Sequence, residues 1–290
     1  MASDFATNPT ETGDYNDTIY SAIITDEVKD ALMASVITPA LLDFHDLSGQ
    51  ASKAIQIPKA DKFTAAAVAE GTELTNTTLT SSSVTLTSSE VGIQATITDV
   101  LEVSDIASAH GARLKQLGRA MGDKLDVDIC ALFGGFSTGV GSTGTDIALS
   151  DLLDAIYNLE VNDASDLGSI VGVFHPRQSA DIRTELEADT ASVYVQREGQ
   201  PLRQAMNGFF GSWFGLDIFQ TTNVPTANSG NDRAGGIFVS NYALGLVQKW
   251  SAKMEVMRWA PIRGFVLVAT SMYGVGEIED SAGIKVITDA

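Results

Sequence analysis

The residues in this sequence best suited to chemistry are three histidines, one cysteine and a few acidic runs. His45, His110 and His175 lie far apart, and none has a second ligand-type residue at the i, i+4 spacing that lets a helix present two donors to zinc. A nucleophilic triad is assembled in space, so spacing alone does not exclude one, but no local setting for a nucleophile is expected. His175, directly before Pro176, reads as a histidine at the start of a helix. Asp123, Asp126 and Asp128, and further on Glu277, Glu279 and Asp280, crowd short stretches without the spaced oxygen ligands and central glycine of a calcium loop; solvated acidic faces are expected. Gly139-Val140-Gly141-Ser142-Thr143-Gly144 matches a dinucleotide fingerprint letter by letter. That motif needs a strand before it and a helix opening on its last glycine, and the pattern here puts a helix before it, so a flexible linker is expected. Cys130 is the sole cysteine, forms no internal disulfide and falls in an apolar helical pattern as a small buried thiol. No catalytic, cofactor-binding or metal-ligating residue is assigned, no cofactor is expected, and the chain reads as no enzyme.

Charge narrows the partners. Eighteen basic residues against 37 acidic ones give a net charge of -19, which opposes sequence-specific or other binding to a phosphate backbone. The first 17 residues are polar and acidic, unlike a secretory signal, and no stretch approaches the roughly 20 apolar residues of a spanning helix. A protein made in the cytoplasm, with no membrane partner, is expected. With 44% hydrophobic residues in 290, the chain can bury a substantial core, and 26 glycines among Ser- and Thr-rich stretches point to many turns and strands. The fold class expected is α+β.

The elements follow from periodicity. Residues 1–54 read as a polar arm and connector, broken at Pro39. Within 55–98, a short strand around Ile55 and Ile57 stops before Pro58; a turn at Glu70-Gly71 follows, and then a polar Thr/Ser tract over 72–83. Val84 and Leu86, then Val91, Ile93, Ala95 and Ile97, alternate as strands with one apolar face. An excursion that long is far above the usual connection of about 4 to 6 residues, and it needs something outside its own core to lie on. A helix capped near Thr98, Asp99 or Ser104 carries Leu114, Leu117, Met121, Leu125, Ile129 and Leu132 on one face and stops at Gly134-Gly135, which sets a spine over 99–136. Residues 137–257 read as a compact α/β lobe: a helix capped by Ser150 with Leu153, Ile156 and Leu159, a strand over 170–174, a helix from Pro176 to about Glu187, and strands over 216–219, 236–239 and 244–247. In the tail, 258–290, the alternating Phe265, Leu267, Ala269 and Met272 and the later Ile284, Val286 and Ile287 are expected to pair with the strands around 84–97.

This order of elements, with Val68-Ala69-Glu70-Gly71, Val84-Thr85-Leu86, Ile97-Thr98-Asp99, Val173-Phe174-His175-Pro176 and Phe214-Gly215-Leu216-Asp217-Ile218-Phe219 before Asn223-Val224-Pro225, resembles the major capsid proteins of tailed bacteriophages. The resemblance implies the Hong Kong 97-type capsid fold. In it, 1–54 is the N-terminal arm and connector, 55–98 the extended loop, 99–136 the spine helix and 258–290 the closing strands of the peripheral domain, and 137–257 the axial domain. It also implies a subunit that assembles with many copies of itself, as pentamers and hexamers, into the icosahedral shell of a virion, built in the host cytoplasm. Glu70, Gly71, Thr72, Glu73, Leu74 and Leu79 are then intersubunit contacts. A separate scaffolding protein and a portal protein are implied as partners, since no fused scaffolding segment is seen; decoration proteins are left open. Lys59 and Lys62 stand at the base of the loop and residues 72–89 hold no lysine, so the covalent crosslinking of some relatives is not expected. The same fold would serve an encapsulin-like nanocompartment, and a reading from another class is a hydrolase using the 137–257 lobe.

Overall fold

A computed structural model of the chain describes residues 38–60, 65, 67–71, 73, 81–100, 109–188 and 209–289. In chain order its strands are β1 (Asp43–Asp46), β2 (Ala54–Ala60), β3 (Ser81–Thr87), β4 (Ser89–Thr98), β5 (Gly139–Val140), β6 (Ile170–Phe174), β7 (Phe209–Trp213), β8 (Leu216–Gln220), β9 (Thr226–Ala227), β10 (Asp232–Val239), β11 (Leu244–Trp259), β12 (Gly264–Glu277) and β13 (Gly283–Asp289). Its longer helices are α1 (Ala109–Cys130), α2 (Leu149–Val161) and α3 (Pro176–Ala188).

Two sheets organise the molecule. One has the order β1-β11-β12-β4, with β12 antiparallel to both neighbours and β1 parallel to β11. Helix α1, about 33 Å long at 1.5 Å per residue, lays Leu117 and Met121 on this sheet against Ile97, Ala252, Met254, Leu267 and Ala269. Leu117, Met121, Leu125 and Ile129 are all buried, as their spacing predicts. Residues 101–108 and the side chain of Leu114 lie outside the described set, so the expected start at Ser104 does too. The α-helix stops at Cys130, and a 3-10 turn, Phe133–Gly135, carries Phe133 onto Phe238 with ring centroids 5.6 Å apart. A Cβ on Gly236 would fall 2.6 Å from the Phe133 ring, so glycine is what lets that aromatic pair close.

The second sheet has the order β5-β13-β10-β6-β8-β7, with β9 beside β10; α2 packs on β5 and β13 at one edge. Its core joins Phe133, Phe136, Phe174 and Phe238 to Leu152, Leu159, Ile182, Ile284 and Val286, and continues into Leu244, Leu246 and Tyr273 of the first sheet. The strands expected around 170–174, 216–219 and 236–239 and the helix from Pro176 are present here.

The tail divides differently from the expectation. Phe265, Leu267, Ala269 and Met272 do pair with β4, but Ile284, Val286 and Ile287 lie in β13, between β10 and β5. β4 ends its sheet and keeps one edge unpaired among the described strands, so room alone does not decide the outcome; Ile284 and Val286 instead find a fully buried seat in the aromatic core. Residues 244–257, assigned to the lobe, belong to β11 of the first sheet, so the boundary at 257 does not follow the sheets. Smaller corrections concern ends. β2 runs through Pro58, whose missing N–H is tolerated in a two-stranded edge ribbon, and residues 81–83 of the polar tract are already strand. Helix α2 begins at Leu149, with the Ala148 N–H donating to Asp151 Oδ2, so Ser150 lies inside it; Leu153 is exposed, and Leu152, Ala155 and Leu159 face the core.

Candidate functional site

The residues with catalytic potential do not converge. His45 pairs with Asp43 in β1, 3.0 Å away, and His175 opens α3. The His175 N–H donates to Gln178 Oε1 at 3.0 Å, and its Nδ1 accepts the Arg177 N–H at 3.3 Å. Burial, and then nearby Arg233, hold the imidazole pKa below its usual value, which keeps that nitrogen an acceptor. His110 is backbone only among the described residues. Gly135-Phe136-Ser137-Thr138-Gly139 does spell a Gly-x-Ser-x-Gly string, contrary to the expectation of no local nucleophile setting. A nucleophile elbow needs a strand before it and a helix after it. Here a 3-10 turn precedes and the two-residue β5 follows, with the Ser137 N–H given to Asp280.

The glycine string at 139–144 is equally committed to structure. Gly141 and Gly144 adopt φ of 82° and 70°, and the Gly144 N–H donates to Asp232 Oδ1 at 3.0 Å. The hollow beside it, about 480 Å³, is lined by Asp151 and Asp154, whose charge repels a phosphate.

The acidic runs also diverge. Asp123 is exposed, and Asp128 accepts the Tyr273 O–H at 2.8 Å and pairs with Lys124. Burial, then that bond to Asp128, push the phenol pKa up. Asp126, expected on a solvated face, is fully buried. It accepts the Thr38 N–H at 3.3 Å, the Thr38 hydroxyl, the Thr221 hydroxyl at 2.9 Å and the Asn223 side-chain amide at 3.2 Å. It therefore ties the connector and the loop after β8 to α1. Asp126 follows buried Leu125 and precedes Ile129 and Cys130 by one turn, which is the signal that placed it inward. Cys130, next to this carboxylate, is buried, and burial followed by the Asp126 charge pushes its thiol pKa up, which disfavours the reactive thiolate. Among the described residues no group of three or more His, Cys, Asp or Glu is placed to hold a metal, and no helix is long and apolar enough to cross a membrane.

What the structure builds instead is an anchored projection. β2 and β3 form an antiparallel ribbon from Ala54↔Thr87 to Ala60↔Ser81. Leu47, Leu86, Val247 and Ile278 make a small core at its root, with Ile55, Ile57 and Val84 packed on it. The Ser88 N–H and hydroxyl bond to the Lys53 carbonyl at 2.8 and 2.9 Å, Lys249 reaches the Ser52 carbonyl at 3.0 Å, and Lys59 meets Glu279 at 3.3 Å. Beyond the root, every described residue between β2 and β3 is exposed. Glu70-Gly71 makes the expected turn, with φ of 82° at Gly71, and Glu73 is exposed; Thr72, Leu74 and Leu79 lie outside the described residues. The Lys59–Glu279 pair is not legible in the sequence, because the two residues stand 220 positions apart.

Glu277, beside this root, has its pKa raised above 4.5 by burial first and then by Asp280, with Lys59 opposing. Its ionised form is thus penalised at neutral pH, and the stability it withholds returns as pH falls through the raised value toward 4.5. Glu277→Gln should melt higher than wild type at pH 7 and indistinguishably from it below pH 4.5, in a series of thermal melts; equal gains at both pH values would show that charge is not the cause.

A family model described as phage capsid protein matches residues 83–286. No curated protein sequence matches the chain. Among solved structures, the chain is similar to the capsid of cyanophage P-SCSP1u at 17% identity and a TM-score of 0.63 over 88% of each chain. It is similar to a Mycobacterium phage Che8 structure at 16% identity and 0.68 over 87% of this chain and 90% of that one. It also resembles a virus-like particle from Pyrococcus furiosus, at 10% identity and 0.59, over 92% and 99%. With the two sheets, the helix laid across one of them and the anchored ribbon in place, the chain belongs to the phage capsid protein family, as a major capsid subunit with the Hong Kong 97-type fold.

Proposed function

We propose that residues 61–80, carried outward by β2 and β3, are the extended loop that lies on the next subunit, with Glu70, Gly71, Thr72, Glu73, Leu74 and Leu79 in the contact. The observation behind this is the contrast at the ribbon: a root held by a core, hydrogen bonds and an ion pair, and a far part with all its described residues exposed. Backbone and side chains that find no partner inside a subunit find one by lying on a neighbour, and the same contact repeats through the shell. The four-stranded sheet with α1 is read as the peripheral domain and the seven-stranded sheet with α2 and α3 as the axial domain. The histidine bound up at the start of α3 supports a structural part and not a hydrolytic one.

Identical subunits joined head to tail do not by themselves set a shell size or a unique opening. A separate scaffolding protein and a portal protein are therefore the partners proposed for copies arranged as pentamers and hexamers, assembling in the host cytoplasm. The net charge of -19 favours an enclosed genome that is contained and not gripped. The family match favours a genome as the content over the enzyme cargo of a nanocompartment.

Purified protein, alone or with its scaffolding protein, should form closed shells tens of nanometres across in negative-stain electron microscopy. Only monomers or small closed oligomers under every assembly condition would refute the reading.

A further inference from the structure

Helix α2 has two apolar faces. Leu152, Ala155 and Leu159 are buried in the core, whereas Leu153, Tyr157 and Val161 recur every fourth residue on the other side and are 44%, 63% and 61% exposed. Leu167, in the turn that follows, is exposed as well. No described part of the same subunit covers this stripe.

The far edge of the same sheet carries a second anomaly. β7 and β8 are joined by a two-residue turn, with Trp213 paired to Leu216, and both turn residues are left-handed, φ 52° at Phe214 and 82° at Gly215. That turn suits the twist of a hairpin, and Asn-Gly is its favoured sequence. Gly215 adopts the conformation freely, but a bulky side chain there is strained, and the Phe214 ring is 61% exposed. The strain weakens the isolated subunit and the exposed ring adds no burial to offset it, which directs attention to a use outside the subunit.

The strand order separates the two features. α2 packs on β5 and β13, the Phe214 turn belongs to β8 and β7, and β10 and β6 lie between. Two different apolar patches at opposite edges cannot meet within one subunit, whereas a neighbouring copy can bring one to the other. They match head to tail, which is the contact that closes a ring. We propose that Phe214 of each subunit seats on the Leu153, Tyr157 and Val161 stripe of the next copy around a ring of the shell. This rests on the shell reading above, and its occupant is a second copy of this chain.

The test is a mutant cycle on shell assembly with the scaffolding protein present. Phe214→Asn tolerates the left-handed turn, so the subunit should melt at or above the wild-type temperature, while the minimum concentration for shells rises about tenfold or more. The triple variant Leu153→Ser, Tyr157→Ser, Val161→Ser should raise it similarly, and combining both changes should add little, because they remove one contact. Wild-type assembly by Phe214→Asn, additive effects, or a lower melting temperature of Phe214→Asn would each overturn the contact while the shell reading stood. Failure of the wild type to form shells in the same series would overturn both.

Discussion

Replacing residues 71–80 with a short Gly-Ser linker should leave a folded subunit that no longer closes normal shells. The root of the ribbon lies wholly outside the cut: Ile55 and Ile57 on β2, Val84 and Leu86 on β3, and the Lys59–Glu279 pair all remain. The cut stops at residue 80 because Ser81, Ser82 and Ser83 are paired with Ala60, Lys59 and Pro58. Within the cut, the described residues Gly71 and Glu73 are exposed, and Leu74 and Leu79 are its only large apolar residues. The melting temperature should move by less than about 4 °C, the effect of roughly 1 kcal/mol in a domain of this size. Assembly is affected far more, since a small loss at one contact recurs at every subunit of the shell. Circular dichroism and thermal melting report the fold, and electron microscopy reports the shells. Normal shells would make the segment a passive surface loop; an unfolded variant would make it part of the core.

Asp126→Ala is expected to have the largest effect on the subunit itself. The substitution strips a fully buried acceptor from the Thr38 N–H and hydroxyl, the Thr221 hydroxyl and the Asn223 amide. Leaving several buried donors unpaired costs about 3–5 kcal/mol, and the melting temperature should fall by roughly 6–20 °C. Asp126→Asn keeps the shape and one acceptor oxygen; with its amide on the Oδ2 side it meets the Thr221 hydroxyl, which can rotate to accept, and the Asn223 amide, which must flip to do so, so it should fall by about half as much. A chemical denaturation series on the three proteins checks the order. A wild-type midpoint for Asp126→Ala would show that Thr38, Thr221 and Asn223 find other partners.

The elements with strict periodicity were legible in the sequence. The alternation of Val91, Ile93, Ala95 and Ile97 marks β4, and Leu117, Met121, Leu125 and Ile129 mark the face of α1. Partner choice was not legible, because period-two alternation states that a strand has one buried face and says nothing of which sheet receives it. Ile284 and Val286 therefore looked interchangeable with Leu267 and Ala269, although the two strands part at Asp280–Ala282 and go to different sheets. Asp126 reads as solvated for the opposite reason: its two neighbouring carboxylates, Asp123 and Asp128, suggest solvent, and the donors that make its burial possible come from residues 38, 221 and 223. Phe214 hid in plain composition, since a Trp-Phe-Gly run looks like the end of a strand and gives no sign that its middle residue must turn left-handed. Of the six residues proposed for the loop contact, Glu70, Gly71 and Glu73 are placed at the exposed end, as their polar, turn-rich surroundings imply.

The position of β13 has a bearing on timing during synthesis. β5 has β13 as its single strand neighbour among the described residues, and β10 has β13 along nearly its full length. A ribosome that has already made β5, α2 and β10 has therefore not yet made the strand that joins them, and a pairing across half the chain forms slowly once it can form at all. The part of α2 that packs on β13 finds its partner only when residues 283–289 have left the exit tunnel. Nascent chains crowded on one polysome thus lack the finished faces that would let them polymerise early, and products cut short before β13 have no completed edge to enter a lattice with.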